Sequence, residues 1–131
     1  MDPAPLPKIQ VQNLTKRFGS LTVLDRISFT IARGELVAIV GPTGCGKTTF
    51  LNNLSKLMPA TEGAILIDGE EANPRKHHIS YVFQEPTCLP WRTVRDNVAF
   101  GMEIKNVSYK ERYQRADRIM DLVGLTSCAN L

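Results

Sequence analysis

Apolar and polar residues alternate along two early segments of the chain. Ile9 and Val11 alternate with glutamines, and Ile27, Phe29 and Ile31 alternate with Ser and Thr. This period of two is typical of strands with one buried face. A Gly-Ser turn signal and a short connection separate the two segments, so they predict a small antiparallel sheet.

Three further apolar runs predict additional strands, at residues 36–40, 64–67 and 79–83. The first run is continuous and rich in branched side chains, which is typical of a parallel strand buried on both faces. The second run ends at the turn pair Asp68-Gly69. Residues 70–78, which follow, are polar and predict an irregular segment.

Helical spacing appears in three places. Residues 48–57 predict a helix that ends before Pro59. Thr93 is a candidate cap for a second helix that turns Val94, Val98 and Phe100 inward. The third helix is expected to open with a capping box at residues 108–111 and to run towards Gly124. Its predicted inner face consists of Tyr109, Tyr113, Ala116, Met120 and Val123. Its charged residues are predicted to be solvated, and they include Arg112, Arg115, Asp117 and Arg118.

Composition narrows the class of protein. The chain has 131 residues, of which 43% are hydrophobic and 22% charged, and these values are typical of one globular domain with a modest core. A net charge of +3 with scattered basic residues gives no reason to expect a nucleic-acid partner. No apolar run has the length of a membrane span, and the first residues do not resemble a signal peptide, so we expect a cytosolic location.

Cysteine and histidine spacing predicts no metal centre. The three cysteines show neither disulfide nor metal-ligand spacing and are interpreted as reduced thiols. His77 and His78 are adjacent and are interpreted as part of a solvated loop.

A glycine-rich segment between the run at 36–40 and the first predicted helix carries the strongest chemical signal. Its residues are Gly41, Pro42, Thr43, Gly44, Cys45, Gly46, Lys47, Thr48 and Thr49. Glycines allow the backbone N–H groups to turn inward towards an anion, and the helix N-terminus adds positive potential. The spacing is one glycine, then four residues, then Gly-Lys-Thr, and it lies between a predicted strand and a predicted helix. This pattern predicts a phosphate-binding loop for a nucleoside triphosphate.

Individual residues of this loop have distinct expected roles. Lys47 is expected to reach the outer phosphates, and the Thr48 hydroxyl is expected to ligate a bridging Mg²⁺. Cys45 lies beside Lys47 and a helix N-terminus, so we expect a reactive thiol that bound ATP protects.

Three residues outside the loop are also candidates. Phe18 has two interpretations, a ring that plugs the hairpin end or a flat face for adenine. Val23 is a further candidate nucleotide contact. Gln84 follows the predicted strand at 79–83, at the sheet edge where ligand-binding groups collect.

Together these features resemble the ATP-binding subunit of an ABC transporter. Phe18 occupies the place of that family's adenine-stacking aromatic, residues 63–69 resemble its strand and turn, and residues 82–84 resemble its Q-loop. In the Q-loop the glutamine approaches Mg²⁺ and the attacking water. Residues 83–98 look most similar to importers of nitrate, sulfonate, taurine and related solutes.

The resemblance implies a fold class and a domain organisation. It implies an α/β P-loop NTPase core with an N-terminal antiparallel β subdomain and the start of a helical subdomain. The expected boundaries are 1–8 for a loose lead-in, 9–35 for the antiparallel part, 36–84 for the core and 85–131 for the helical part.

The resemblance also implies cofactors and partners. ATP and Mg²⁺ are the expected cofactors. A membrane permease is expected to contact the region from Gln84 to Phe100, and a second ATP-binding subunit is expected to complete the assembly at the inner face of the membrane.

The sequence also departs from the family pattern. The serine-glycine-glycine signature, the apolar strand ending in Asp-Glu and the switch histidine are absent from these 131 residues. We therefore expect ATP binding with little turnover by this chain. The alternative is a non-hydrolytic nucleotide-binding module or a relic fragment; a P-loop kinase or GTPase is disfavoured because the Asn-Lys-x-Asp pattern is missing.

Overall fold

A computed structural model of the protein describes residues 6–131. The described residues up to Val82 form one compact unit, and Phe83–Leu131 form another. Most of the lead-in predicted for residues 1–8 lies outside the described residues. Lys8, the last of that segment, is tied to the first unit because its Nζ donates to Asp68 at 2.6 Å.

The first unit is built on a four-stranded antiparallel sheet. Its strands are β1 (Ile9–Phe18), β2 (Leu21–Ile31), β3 (Glu62–Ile67) and β4 (Glu70–Glu71), and their order across the sheet is β2-β1-β3-β4. The predicted antiparallel hairpin is confirmed, since Ile9 pairs with Ile31 and Phe18 with Leu21. Strand β3 joins the same sheet beside β1.

Helix α1 (Lys47–Leu54) contributes to the hydrophobic core through Phe50. The Phe50 and Phe29 ring centroids lie 5.6 Å apart. The helix is shorter than the predicted 48–57, because Lys56 adopts a left-handed backbone conformation with φ of 59°. The buried hydrophobic residues of this unit are Val11, Leu14, Leu24, Phe50, Ile65, Ile67 and Ala72.

Two predicted strands are wrong. Residues 36–40 and 79–83 have no strand structure, and Leu36, Val40 and Val82 are 97%, 88% and 94% exposed. A parallel strand is stable only when neighbouring strands satisfy its backbone groups and cover both faces. Within residues 6–131 no strand pairs with either segment, so their apolar pattern is not realised as a sheet.

The prediction of an irregular segment at residues 70–78 is also wrong in part. This stretch holds β4 and a short helix, α2 (Pro74–His77). The Asn73 side chain accepts from the backbone N–H groups of Arg75 and Lys76, which caps the helix. His77 accepts a hydrogen bond through Nδ1 from the backbone N–H of Asn73 at 3.0 Å.

The second unit consists of two helices and a terminal turn. Helix α3 spans Val94–Ile104, helix α4 spans Tyr109–Leu122, and a 3₁₀ turn follows at Thr126–Cys128. Both predicted helix starts are confirmed: Thr93 accepts from the Asp96 N–H, and Ser108 accepts from the Glu111 N–H.

The predicted inner and solvated faces of these helices need correction. Of the predicted inner positions on both helices, only Ala116 and Met120, both on α4, are buried. The buried residue of α3 is Ala99, which was not among the predicted inner positions. Tyr109 and Val123 are exposed. The predicted solvated face is wrong at Arg112, whose guanidinium stacks over the Tyr109 and Tyr113 rings at 5.3 and 5.6 Å.

Polar contacts also join α3 to α4. Arg95 donates through Nε to Asp117 at 2.7 Å, and the Tyr113 hydroxyl donates to Asp96. This last bond lowers the pKa of the Asp96 carboxyl, with a further contribution from the Thr93 hydroxyl. The same bond raises the pKa of the Tyr113 phenol.

Candidate functional site

The glycine-rich loop is exposed to solvent at residues 41–45, and it leads directly into helix α1. Gly44 and Gly46 have φ of 81° and 101°, in the left-handed region that favours glycine. Gly46 is the N-cap of α1, no side chain within residues 6–131 caps this helix start, and its first turn holds no acidic residue. The positive end of the helix is therefore left for an external anion.

Lys47, at the start of α1, folds over the loop that precedes it. Its Nζ donates to the carbonyl oxygens of Gly41 and Pro42, each at 2.8 Å, and lies 3.7 Å from Cys45 Sγ. The ammonium group is thus centred on the loop, where it can exchange these carbonyl acceptors for phosphate oxygens.

Two glycines of this loop lie close to neighbouring side chains, and Gly46 also has a left-handed backbone that favours glycine. A Cβ atom on Gly41 would lie 2.8 Å from Cys45 Sγ, closer than side chains pack. At Gly46 the corresponding position is 3.1 Å from Val23 Cγ1 and 3.2 Å from a methyl carbon of Leu24. The structure therefore brings Val23, on strand β2, against the loop.

Phe18 lies at the end of β1, opposite Leu21 in the hairpin. Its side chain is not a buried plug, since 45% of the residue is exposed. Lys16 Nζ lies 5.1 Å from the ring centroid. The sequence does not single out Lys16, because strand pairing beside it is irregular and simple alternation does not predict the contact.

An apolar cavity of about 270 Å³ also borders the loop. Its walls include Leu24, Phe29, Phe50 and Val40, together with Gly46. Burial of a phosphate among these side chains would be unfavourable because they offer few hydrogen-bond partners. The hydrogen-bonding groups that a phosphate needs lie instead at the loop backbone and at Lys47.

The loop fits a triphosphate on two structural grounds: an uncapped helix N-terminus and a lysine directed at the loop. Thr48 is exposed on the first turn of α1, so its hydroxyl is accessible to a metal ion bound with the phosphates. Among residues 6–131, no three His, Cys, Asp or Glu side chains converge as metal ligands. A metal ion here would consequently depend on the nucleotide for most of its ligands.

The remaining predicted site residues lie as follows. Pro42, Thr43 and Thr49 belong to the loop or the first turn of α1, and Pro42 accepts from both Lys47 and the Cys45 N–H. Gln84 belongs to the second unit, where it lies in an irregular segment before α3. Its role stays a prediction.

Comparison with known proteins identifies the family. The model of the ABC transporter family matches residues 24–130 of this chain. The chain belongs to that family, as an ATP-binding domain. An uncharacterized ABC transporter ATP-binding protein of Methanocaldococcus jannaschii is 40% identical over 122 residues, which cover 90% of this chain and 46% of that protein.

An importer component is also among the relatives of this ABC chain. The Fe(3+) ions import ATP-binding protein FbpC of Escherichia coli O157:H7 is 40% identical over 120 residues, covering 89% of this chain and 34% of that protein. The chain thus spans about half the length, or less, of the curated relatives it matches.

Solved structures confirm the predicted fold class of a P-loop NTPase. The dimeric structure of the bacterial ABC transporter cassette MJ0796 matches with a TM-score of 0.81 and 29% identity, covering 93% of this chain and 60% of that one. The same cassette in a post-hydrolysis state bound to ADP and Pi matches with a TM-score of 0.79. None of the helices within residues 6–131 combines the length and the hydropathy of a membrane span.

Proposed function

We propose that this chain binds ATP through the loop at residues 41–49 as part of an ABC-type importer. The observation that carries the proposal is the position of Lys47, whose Nζ lies over the loop at 2.8 Å from two carbonyl oxygens. In this position it can neutralise the outer phosphates while the uncapped start of α1 receives the inner ones.

Two further residues complete the proposed nucleotide contacts. Phe18 offers an exposed ring for the adenine base, and aromatic stacking suits a flat heterocycle. Val23 packs against Gly46, so it connects the hairpin that carries Phe18 to the phosphate loop. The structural support for a base site is therefore the β1–β2 hairpin, which carries Phe18 at the end of β1 and Val23 near the start of β2.

Magnesium is the proposed companion of ATP. Thr48 would hold it through its hydroxyl, which is exposed on the first turn of α1. The role of Gln84 towards the ion and the attacking water rests on the family resemblance of residues 82–84 alone. The ion would neutralise charge on the phosphates, which is the main requirement of phosphoryl transfer.

Import is the proposed direction of transport. It is supported by the relative from Escherichia coli O157:H7, whose name describes the import of Fe(3+) ions. Transport of nitrate, sulfonate or taurine rests on the similarity of residues 83–98, and the iron importer among the relatives favours no particular solute for this chain.

We further propose two protein partners. A membrane permease would contact residues 84–100, where Trp91 is 76% exposed and provides a large apolar surface for contact. A second ATP-binding subunit would face the nucleotide, as the dimeric state of the MJ0796 cassette suggests. This arrangement would place the chain at the cytoplasmic face of a membrane.

The proposal predicts binding that is separable from turnover. ATP binding and phosphate release would be measured on the same preparation, with and without Mg²⁺. We expect saturable binding that Mg²⁺ strengthens, and phosphate release at the background rate. The reason is that these 131 residues contain the phosphate-binding loop but not the serine-glycine-glycine signature, the Asp-Glu pair or the switch histidine. Robust release that Lys47→Ala abolishes would overturn the binding-only part, and absence of ATP binding would overturn the function itself.

A further inference from the structure

The side chain of Lys16 covers part of the Phe18 ring. Lys16 Nζ lies 5.1 Å from the ring centroid, within the range at which an ammonium group is attracted to an aromatic face. Strand pairing is irregular between Lys16 and Arg17, so this contact is set by the local bulge and not by simple alternation. The 45% exposure of Phe18 leaves the rest of the ring accessible to a ligand.

Lys16 makes a second contact that links the ring to the phosphate-loop helix. Its Nζ donates to the carbonyl oxygen of Pro59 at 2.8 Å. Pro59 follows Met58, whose backbone N–H donates to the Asn52 carbonyl oxygen of α1 at 3.0 Å. One ammonium group therefore contacts both the ring and the segment that leaves α1.

Neighbouring hydrogen bonds hold that segment against β1. The Thr61 N–H donates to the Thr15 carbonyl oxygen at 2.9 Å, and the Arg17 N–H donates to Thr61 Oγ1 at 3.0 Å. Arg17 also forms an ion pair with Glu62. The Pro59 carbonyl is consequently a fixed acceptor, and the ammonium group bound to it is restricted in position.

We propose that Lys16 is a positioning residue for nucleobase binding: it holds one side of the Phe18 ring, and the opposite side receives the base of the nucleotide. The inference rests on the proposed ATP-binding function. It adds that the effect of Lys16 acts through the base and not through phosphate charge, which distinguishes it from Lys47. A positive charge anywhere near the site would instead attract every phosphate ligand equally.

The test compares ATP with inorganic tripolyphosphate, which carries the phosphates without a base. Lys16→Met keeps the aliphatic stem and removes the ammonium group. We expect ATP affinity to fall by about threefold to tenfold, because the ring is no longer held in place for the base, with tripolyphosphate affinity unchanged. Lys16→Arg, which keeps a cation, should restore most of the ATP affinity.

Two controls exclude a merely structural effect. Lys56→Met removes a lysine of the same unit that pairs with Glu71 at 3.0 Å and contacts no ring, so both affinities should stay unchanged. In a Phe18→Leu background, Lys16→Met should have no further effect on ATP, because the ring through which it acts is gone.

The outcomes separate this inference from the proposed function. If the wild-type chain binds neither ligand, the nucleotide function fails and this inference fails with it. If the wild type binds both ligands and Lys16→Met weakens both equally, or still weakens ATP binding without Phe18, the positioning role is overturned while the function stands. If Lys16→Met does not fold, the comparison uses Lys16→Arg with Phe18 and Lys16→Arg with Phe18→Leu. Equal ATP affinity of these two variants would contradict the role of Lys16 in positioning the Phe18 ring for the base.

Discussion

Gly63 lies against Asn13 so closely that a Cβ atom on the glycine would be 2.4 Å from the backbone carbonyl oxygen of Asn13. The contact occurs where β3 pairs with β1 and the register shifts between Gln12 and Thr15. Gly63 also has φ of 83°, which is unfavourable for any side chain. Gly63→Ala should therefore destabilise the first unit by at least about 2 kcal/mol.

Thermal unfolding measures this effect against a matched control. Gly34 has φ of 79°, but a Cβ there would meet no atom within 4 Å. Gly34→Ala should thus cost only the backbone strain of about 1–2 kcal/mol, and Gly63→Ala should lower the Tm further. Equal Tm values for the two variants would show that the Asn13 contact relaxes at no cost.

Stability should depend on pH through Asp96 and Tyr113. The pKa of Asp96 is lowered, so its bond contributes stability above about pH 4 and is lost as the pH falls through the folded-state pKa. The pKa of Tyr113 is raised, so the contribution is complete below about pH 10 and is lost as the pH rises through the folded-state value.

Tyr113→Phe provides the corresponding measurement. The Tm difference between the wild type and this variant should be largest between about pH 5 and pH 9 and should shrink at both extremes. A difference that is constant from acid to alkaline pH would contradict a role for the hydrogen bond and indicate loss of packing alone.

Alkylation of Cys45 should block nucleotide binding. The thiol is exposed, and its Sγ lies 3.7 Å from Lys47 Nζ within the loop. An alkyl group on this sulfur would therefore occupy the space proposed for the phosphates. Prior addition of ATP should slow the labelling of Cys45. Cys88, which is also exposed but lies outside residues 41–49, is the internal control and should label at the same rate with and without ATP. Equal protection of both thiols would contradict a local effect.

The features predictable from the sequence were those set by short-range chemistry. The caps at Thr93 and Ser108 follow from neighbouring residues, and both are present in the structure. The hairpin of β1 and β2 followed from alternation and a short turn. The glycine-rich loop was recognisable because glycines, lysine and threonine must occur at fixed spacing for phosphate binding.

The features that could not be predicted depend on distant partners. Residues 36–40 have the composition of a buried strand, but a strand also needs neighbouring strands, which composition does not supply. The contact between Lys16 and Pro59 joins residues 43 positions apart, so no local pattern reports it. Helix α2 is different because its signal is local: Asn73 precedes Pro74 and caps the helix.

The most direct test of the central claim is a calorimetric titration of the chain with ATP and Mg²⁺, repeated with Lys47→Ala. The account predicts one saturable site in the wild type and an affinity at least about tenfold weaker in the variant, because one charge-assisted contact to phosphate is lost. Lys56→Ala should bind as the wild type does. Equal affinity of the wild type and Lys47→Ala, or no binding by either, would contradict the assignment of residues 41–49 as the nucleotide site.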